Sequence, residues 1–307
     1  MNLVLSLLLP EPLAGVPLPF AAAIVGLFGT FVGSFLNVVI HRVPQEEGER
    51  DIVFKPSHCP VCKAAIKPYD NIPILSYLIL GGRCRNCKTR ISPRYVAVEA
   101  ITGVLWLLVF LHHVNSANGL TWVFPCDIAL ATALVALIFI DSEHMILPDV
   151  ITFPIMFFAL ATRLVLPYLV GPGAFEDLTW FTAQGLLSDW PLVGKSLLGA
   201  VLGALAGGGT LWLIGKLWEK LRGVEAMGLG DVKMMLGVGA YLGWRMMLVT
   251  LFLSAITGSV VGVGLMLARG ERNLQMRLPF GIFLGLGTII SLLVGPPLLD
   301  WYLSSFR

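Results

Sequence analysis

Apolar residues run for membrane-crossing lengths again and again along this chain. The stretches near 18–40, 95–111, 123–140, 150–170, 193–215, 229–244, 246–268 and 279–302 each approach the roughly 17 to 25 residues that a helix needs to cross a bilayer. They predict about eight transmembrane helices. The most polar is 229–244, which carries Asp231 and Lys233 near its start and meets the next run at a tight Gly243-Trp244-Arg245 boundary. One long polar interval, 42–94, separates the first two runs. The pattern predicts an all-α polytopic membrane protein with a first transmembrane helix over 1–41, a cytosolic loop domain over 42–94 and a larger transmembrane domain over 95–307.

Composition agrees: 56% of the 307 residues are hydrophobic and 13% charged, against about 25% charged in an average soluble domain. The first run has no basic residue before Arg42 and no small-residue cleavage site ahead of a soluble domain, so it reads as a retained anchor rather than a signal peptide. Ten of the 21 Lys and Arg residues lie in 42–94, among them Arg42, Lys55, Lys63, Arg83, Lys88 and Arg94. Lys216, Lys220 and Arg222 follow the fifth run, and Arg269, Arg272 and Arg277 follow the seventh. The alternate loops lack basic residues; 171–192 holds Glu176, Asp177 and Asp189 instead. Basic residues collect in short cytoplasmic loops, so this alternation puts the large first loop in the cytosol and, with eight spans, both termini outside. The net charge of +2 comes from that asymmetry and implies no nucleic-acid partner.

The first loop is too small to bury a core of its own. It carries "CPVC" and "CRNC", that is Cys59, Cys62, Cys84 and Cys87. Two CxxC pairs about 21 residues apart match the spacing of a four-cysteine zinc knuckle, a closed tetrahedral shell that marks a structural metal. A reducing cytosol disfavours disulfides; a redox dithiol or disulfide pair is the alternative. Cys126, in the third run, reads as a small apolar core residue.

Acids inside apolar runs are costly enough to count as functional candidates by default. Asp141 ends the third run in "FIDSEHMILPD", where its own helix dipole disfavours it, and Glu143, His144 and Asp149 follow. Asp231 opens the sixth run in "GLGDVK", after Gly228 and Gly230. On the expected topology both acids lie at cytoplasmic helix ends, at one membrane depth. Two close carboxylates share a proton, so that one can serve as base toward water and the other as acid. Structural roles compete: Asp149 after Pro148 could cap its helix, and Asp231 could pair with Lys233 or cap its own. Glu99, in the second run, could neutralise a loop arginine or line a pocket. His144 has no companion His or Cys for a second metal site.

Together "GSFLNVVIHRVP" (33–44), the two cysteine pairs, "PRYVAVE" (93–99), "IDSEHMILPD" (140–149) and "GLGDVK" (228–233) resemble the type IV prepilin peptidases, also called prepilin leader peptidases, over nearly the whole chain. Gly-x-Gly-Asp alone is shared with presenilin-like and preflagellin peptidases; the cysteine knuckle makes it specific. Glu143 stands where many members have a second aspartate. The resemblance implies a bifunctional enzyme of the bacterial inner membrane. Such an enzyme cleaves the basic leader of type IV prepilins or type II secretion pseudopilins at the cytoplasmic face, using Asp141 and Asp231. It then N-methylates the new terminus with S-adenosylmethionine, an activity that depends on the zinc-bound loop. No strand, Gly-rich turn and helix succession marks a Rossmann-type donor site. Gly81 and Gly82 beside the second knuckle, which also suit a plain turn, and Asn37 and Glu99 near the same loop are the candidate methyl-donor residues. Two other readings stay in view: a peptidase without methyl transfer, and an ion-coupled transporter, which would show internal repeats and midplane acids.

Overall fold

The computed structural model describes residues 16–45, 57–115, 120–185, 187–224, 227–269 and 278–306. Lys55, Arg272 and Arg277, used in the charge pattern, lie outside the described residues. The chain divides into two compact units, Met1–Phe124 and Pro125–Arg307, and no strand longer than an isolated bridge occurs among the described residues.

The first unit is built on α1 (Leu18–Arg42) and α3 (Arg94–Asn115), with the one-turn helix α2 (Leu75–Ile79) in the polar interval between them. Phe20, Ile24, Leu27, Phe28, Phe31 and Phe35 of α1 are exposed, and its opposite stripe is small. A side chain at Gly33 would lie 2.7 Å from the Glu99 Cα, and one at Gly29 2.8 Å from Trp106. This is the packing expected where lipid is as apolar as leucine: large residues face outward and small ones let helix backbones meet.

The second unit contains α4 (Val123–His144, entering from the first unit), α5 (Asp149–Val170), α6 (Glu176–Ala183), α7 (Leu192–Ala204), a π-helical turn (Leu205–Gly209), α8 (Thr210–Arg222), α9 (Leu229–Leu242), α10 (Trp244–Arg269) and α11 (Phe280–Ser304). α7, the π turn and α8 form one 31-residue rod. Among the described residues seven helices are long and apolar enough to cross a membrane, as a multi-pass membrane protein requires. The expected span at 229–244 is the exception. α9 has 14 residues, about 21 Å of rise, short of the roughly 30 Å hydrocarbon core.

Protein, rather than lipid, surrounds α9. Met234, Met235, Val238 and Tyr241 are buried, and its glycine faces meet neighbouring backbone directly. Side chains at Gly203 of α7 and Gly239 of α9 would each run into the other's carbonyl, and one at Gly237 would lie 2.9 Å from Ile155 of α5. At its far end Arg163 of α5, 0% exposed, gives its Nε–H to the Ala240 carbonyl and an Nη2–H to that of Tyr241, both at 2.9 Å. The same guanidinium donates to both oxygens of Asp177 at 2.9 and 3.0 Å and stacks 4.2 Å from the Phe175 ring centroid. Asp177 is therefore no solvent-facing loop acid; it is 1% exposed. The Tyr241 hydroxyl donates to Asp127 at 2.6 Å. Arg163 and Asp127 went unremarked in the sequence reading, although a charge within an apolar run is itself the signal.

Substitution at these contacts should be costly. Arg163→Ala strands Asp177 as a buried unpaired charge and should cost about 3–5 kcal/mol. Gly239→Ala should destabilise by at least about 1–3 kcal/mol through overpacking. Gly264→Ala in α10, where an added methyl meets nothing within 4 Å, should be neutral or gain up to about 1 kcal/mol. Thermal unfolding in detergent ranks the three.

Candidate active site and metal centre

Asp231 stands third in α9, whose N-cap is Gly228. Its carboxylate reaches back to accept the Gly228 backbone N–H, the acid half of a capping box, so it does cap its own helix. It does not pair with Lys233. That ammonium binds both oxygens of Asp149 at 2.8 and 2.9 Å. The N-cap of α5 is Pro148 and Asp149 is its first residue; the Asp149 carboxylate forms an ion pair that ties the start of α5 to the second turn of α9.

Asp141 lies in the last turn of α4 and is 5% exposed. Its own helix dipole opposes a charge there, yet the carboxylate is received by the N-terminus of another helix. Oδ2 accepts the Ile282 N–H of α11 at 3.2 Å, and the Gly281 amide also donates to the carboxylate. Helix N-termini are natural anion sites. A side chain at Gly281 would lie 2.8 Å from the same Oδ2, so only glycine leaves the carboxylate this place. Asp141 and Asp231 are near enough for the charge of one to act on the other.

Leu147, on the α4–α5 connection, lies beside both acids' glycine neighbours. A Cβ on Gly230 would be 2.9 Å from the Leu147 Cβ, and one on Gly281 3.1 Å from its Cδ1. Glu143 and His144 are exposed, and among the described residues His144 belongs to no group of three or more metal-ligating side chains. The run expected at 279–302 matches α11, but nothing in the sequence signalled that its first amides, in "PFGI", would receive Asp141.

In the polar interval the Sγ atoms of Cys59, Cys62, Cys84 and Cys87 lie within 4.8 Å of one another, and none of the four is disulfide-bonded. Cys59 Sγ and Cys87 Sγ are 3.8 Å apart, the edge of a tetrahedron with metal–sulfur bonds of about 2.3 Å. The two halves repeat. Cys59 N–H bonds Ala64 O and Lys63 N–H bonds Cys59 O; Cys84 N–H bonds Thr89 O and Lys88 N–H bonds Cys84 O, all at 2.9 to 3.0 Å. Lys63 and Lys88 both take φ 58°. "CPVCKAAI" and "CRNCKTRI" thus fold as one knuckle used twice, a repeat that the sequence reading passed over. Backbone amides prepare the thiols. The Ala64 amide and the Asn86 side chain hold Cys62 down at about 6, and the Cys87 and Asn86 amides lower Cys84. Cys87 is pushed up to about 11; the Thr89 amide opposes the shift, while burial and the other three thiols outweigh it. The donor set and spacing fit a closed four-sulfur metal site.

The remaining candidates separate. Gly81 and Gly82 have φ of 61° and 65° and form the turn into the second knuckle, with Gly82 closing against the Tyr77 ring. Asn37 and Glu99 belong to the seam between α1 and α3. Among the described residues Glu99 has no arginine partner; it accepts the Ile74 N–H at 2.7 Å and a hydrogen bond from Ser34.

A family model described as the Bacterial Peptidase A24 N-terminal domain matches residues 27–113, and one described as the Type IV leader peptidase family matches 128–263. The Prepilin leader peptidase/N-methyltransferase of Aeromonas hydrophila is 36% identical over 305 residues, 92% of this chain and 94% of that protein. The chain belongs to the type IV leader peptidase family. Relatives with the same name in Pseudomonas aeruginosa (32% over 311 residues, 95% of this chain and 96% of that protein) and Neisseria gonorrhoeae (34% over 274 residues, 82% and 85%) extend the likeness. No solved structure matches it. The two matched regions of this leader peptidase family member contain, respectively, all four clustered cysteines and the acids Asp141 and Asp231.

Replacing Cys59 and Cys62 together with Ser should leave two of four thiolates and release the metal. Elemental analysis of purified protein should fall from about one metal per chain, the closed-site stoichiometry, to none.

Proposed function

We propose that the chain removes the leader of type IV prepilins or type II secretion pseudopilins and then N-methylates the new amino terminus with S-adenosylmethionine. The observation that carries the peptidase half is the approach of two carboxylates from different helices. Asp141 is fixed by the α11 amides and Asp231 by the Gly228 amide. With one proton between them, the ionised acid draws a proton from water as it attacks the scissile carbonyl, and the protonated acid supplies one to the leaving nitrogen. The Gly281 and Ile282 amides and the Gly228 amide keep the two side chains oriented while their charges alternate.

The substrate must be extended locally, because water cannot reach a carbonyl locked in a helix. A scissile bond between a basic cytoplasmic leader and a membrane helix lies where extension is cheapest. The charge pattern supports the bacterial inner membrane with the acids on the cytoplasmic side. Zinc is the metal suited to four thiolates; bound there, it would fix the fold of the polar interval on which methyl transfer depends. The transporter reading has less support, since the family model and the relatives are peptidases and both acids lie at helix ends.

Asp141→Asn and Asp231→Asn should each lower leader cleavage by at least about 10²-fold, the contribution of one positioned acid or base, without loss of membrane insertion. Lys233→Met, which removes only the tie to Asp149, should cost far less. Mass spectrometry of a prepilin-like peptide incubated with each variant, with and without S-adenosylmethionine, measures both halves; near-normal cleavage by either asparagine variant would refute the catalytic pair.

A further inference from the structure

Two hydrogen-bond acceptors lie without a cation on the seam between α1 and α3. Asn37 gives its Nδ2–H to the Tyr95 carbonyl at 2.9 Å, and its Oδ1 is buried with no partner; the residue is 5% exposed. Glu99, 9% exposed, is approached by the Ile74 amide and Ser34 but by no Lys, Arg or His among the described residues. Gly33 faces Glu99 and Asn37 faces Tyr95, so the two polar side chains lie one helical turn apart, about 6 Å along one seam. A carboxylate and an amide oxygen, both only able to accept, complement a donor that carries positive charge.

An apolar groove of about 460 Å3 leads away from them along α1 and α3, lined by Ala22, Gly26, Thr30, Ile74, Ala100 and Gly103. Ile74 joins the two features: its side chain lines the groove, and its N–H, in a backbone held at φ 61°, binds Glu99. Ala22, Gly26 and Thr30 recur every four residues along α1, and Gly26 and Thr30 lie against Gly103 of α3, so the groove runs where the two helix backbones meet. Charge sits near the loop-side end, and the groove itself is apolar, with Leu27, Val104 and Leu107 beside the small residues.

We infer that this seam binds the free α-amino group of a cleaved substrate chain, with Glu99 and Asn37 Oδ1 accepting its N–H donors and the apolar helix that follows it lying in the groove. The inference rests on the methyltransferase half of the proposed function and gives these residues to the acceptor amine rather than to the methyl donor. Chemically, the α-ammonium gives one proton to Glu99. The freed lone pair attacks the methyl carbon of the sulfonium donor, the new N–C bond forms as the C–S bond breaks, and the sulfur leaves with that electron pair as a neutral thioether. Glu99 then returns its proton to water.

The test uses the full-length protein in detergent and a synthetic mature-form peptide, labelled at its C-terminus, with its N-terminus either free or acetylated. Fluorescence anisotropy should show the free amine bound at least about tenfold more tightly, as expected for a charge-assisted contact. Glu99→Gln should abolish that preference and Asn37→Leu weaken it, while Glu99→Asp retains most of it. In methyl transfer, Glu99→Gln should raise KM for the peptide and leave KM for S-adenosylmethionine unchanged. Equal binding of free and acetylated peptide by the unmodified protein, with methyl transfer intact, would overturn the inference and spare the proposed function. A clear amine preference without methyl transfer would do the reverse. Phosphatidylethanolamine in nanodiscs competing as strongly as the peptide would assign the seam to a lipid amine and overturn the peptide assignment. The acetylation comparison needs no variant, so misfolding of a substituted protein does not block the test.

Discussion

The second unit depends on one contact, the meeting of α9 with α7 at backbone distance. Gly203 and Gly239 face each other with no room for a methyl on either, and the π turn after α7 continues the seam with Gly207 and Gly208 against the Met235 and Val232 carbonyls. A helix of 14 residues cannot be held in a bilayer by its own length. It is held because protein surrounds it, and that needs close approach on several sides, which only small residues give. Asp231 occupies its first turn, so the position of that acid follows from packing along the rest of the helix.

The buried charges serve the same end. Arg163 satisfies two terminal carbonyls of α9 and is itself neutralised by Asp177, which turns an expensive intramembrane cation into a clamp. At the other end Lys233 and Asp149 tie α9 to the start of α5. Asp141 is received by amides of α11, neutral donors that steady a carboxylate at the C-terminal end of its own helix without adding a counter-charge beside Asp231. Each acid of the candidate pair is thus oriented by backbone, leaving its remaining lone pairs for water and substrate.

The first unit solves a different problem, how a short polar interval between two membrane helices acquires a definite shape. Its apolar content is too small for a core, so two copies of one tight knuckle aim four thiols at a common point. The interval also sends Ile74 back to Glu99 of α3, which fastens the loop to the seam where two acceptors remain for a ligand.

What the sequence determined was whatever depends on a residue's own chemistry or on spacing of a few positions. Long apolar runs had to be membrane helices, two CxxC pairs had to be one four-sulfur cluster or a redox pair, and Asp141 and Asp231 stood out because a carboxylate in an apolar run is costly wherever it lies. Tertiary structure decided the partners. Ile282 serves Asp141 across 141 residues and Asp149 serves Lys233 across 84, and Asp149 and Glu99 took roles that local pattern did not indicate. The physical reason is that hydropathy separates lipid-soluble segments from water-soluble ones but is nearly blind to which apolar helices adjoin. That choice is made by small residues meeting at backbone distance and by buried polar atoms finding one another, and neither is visible until the helices are packed.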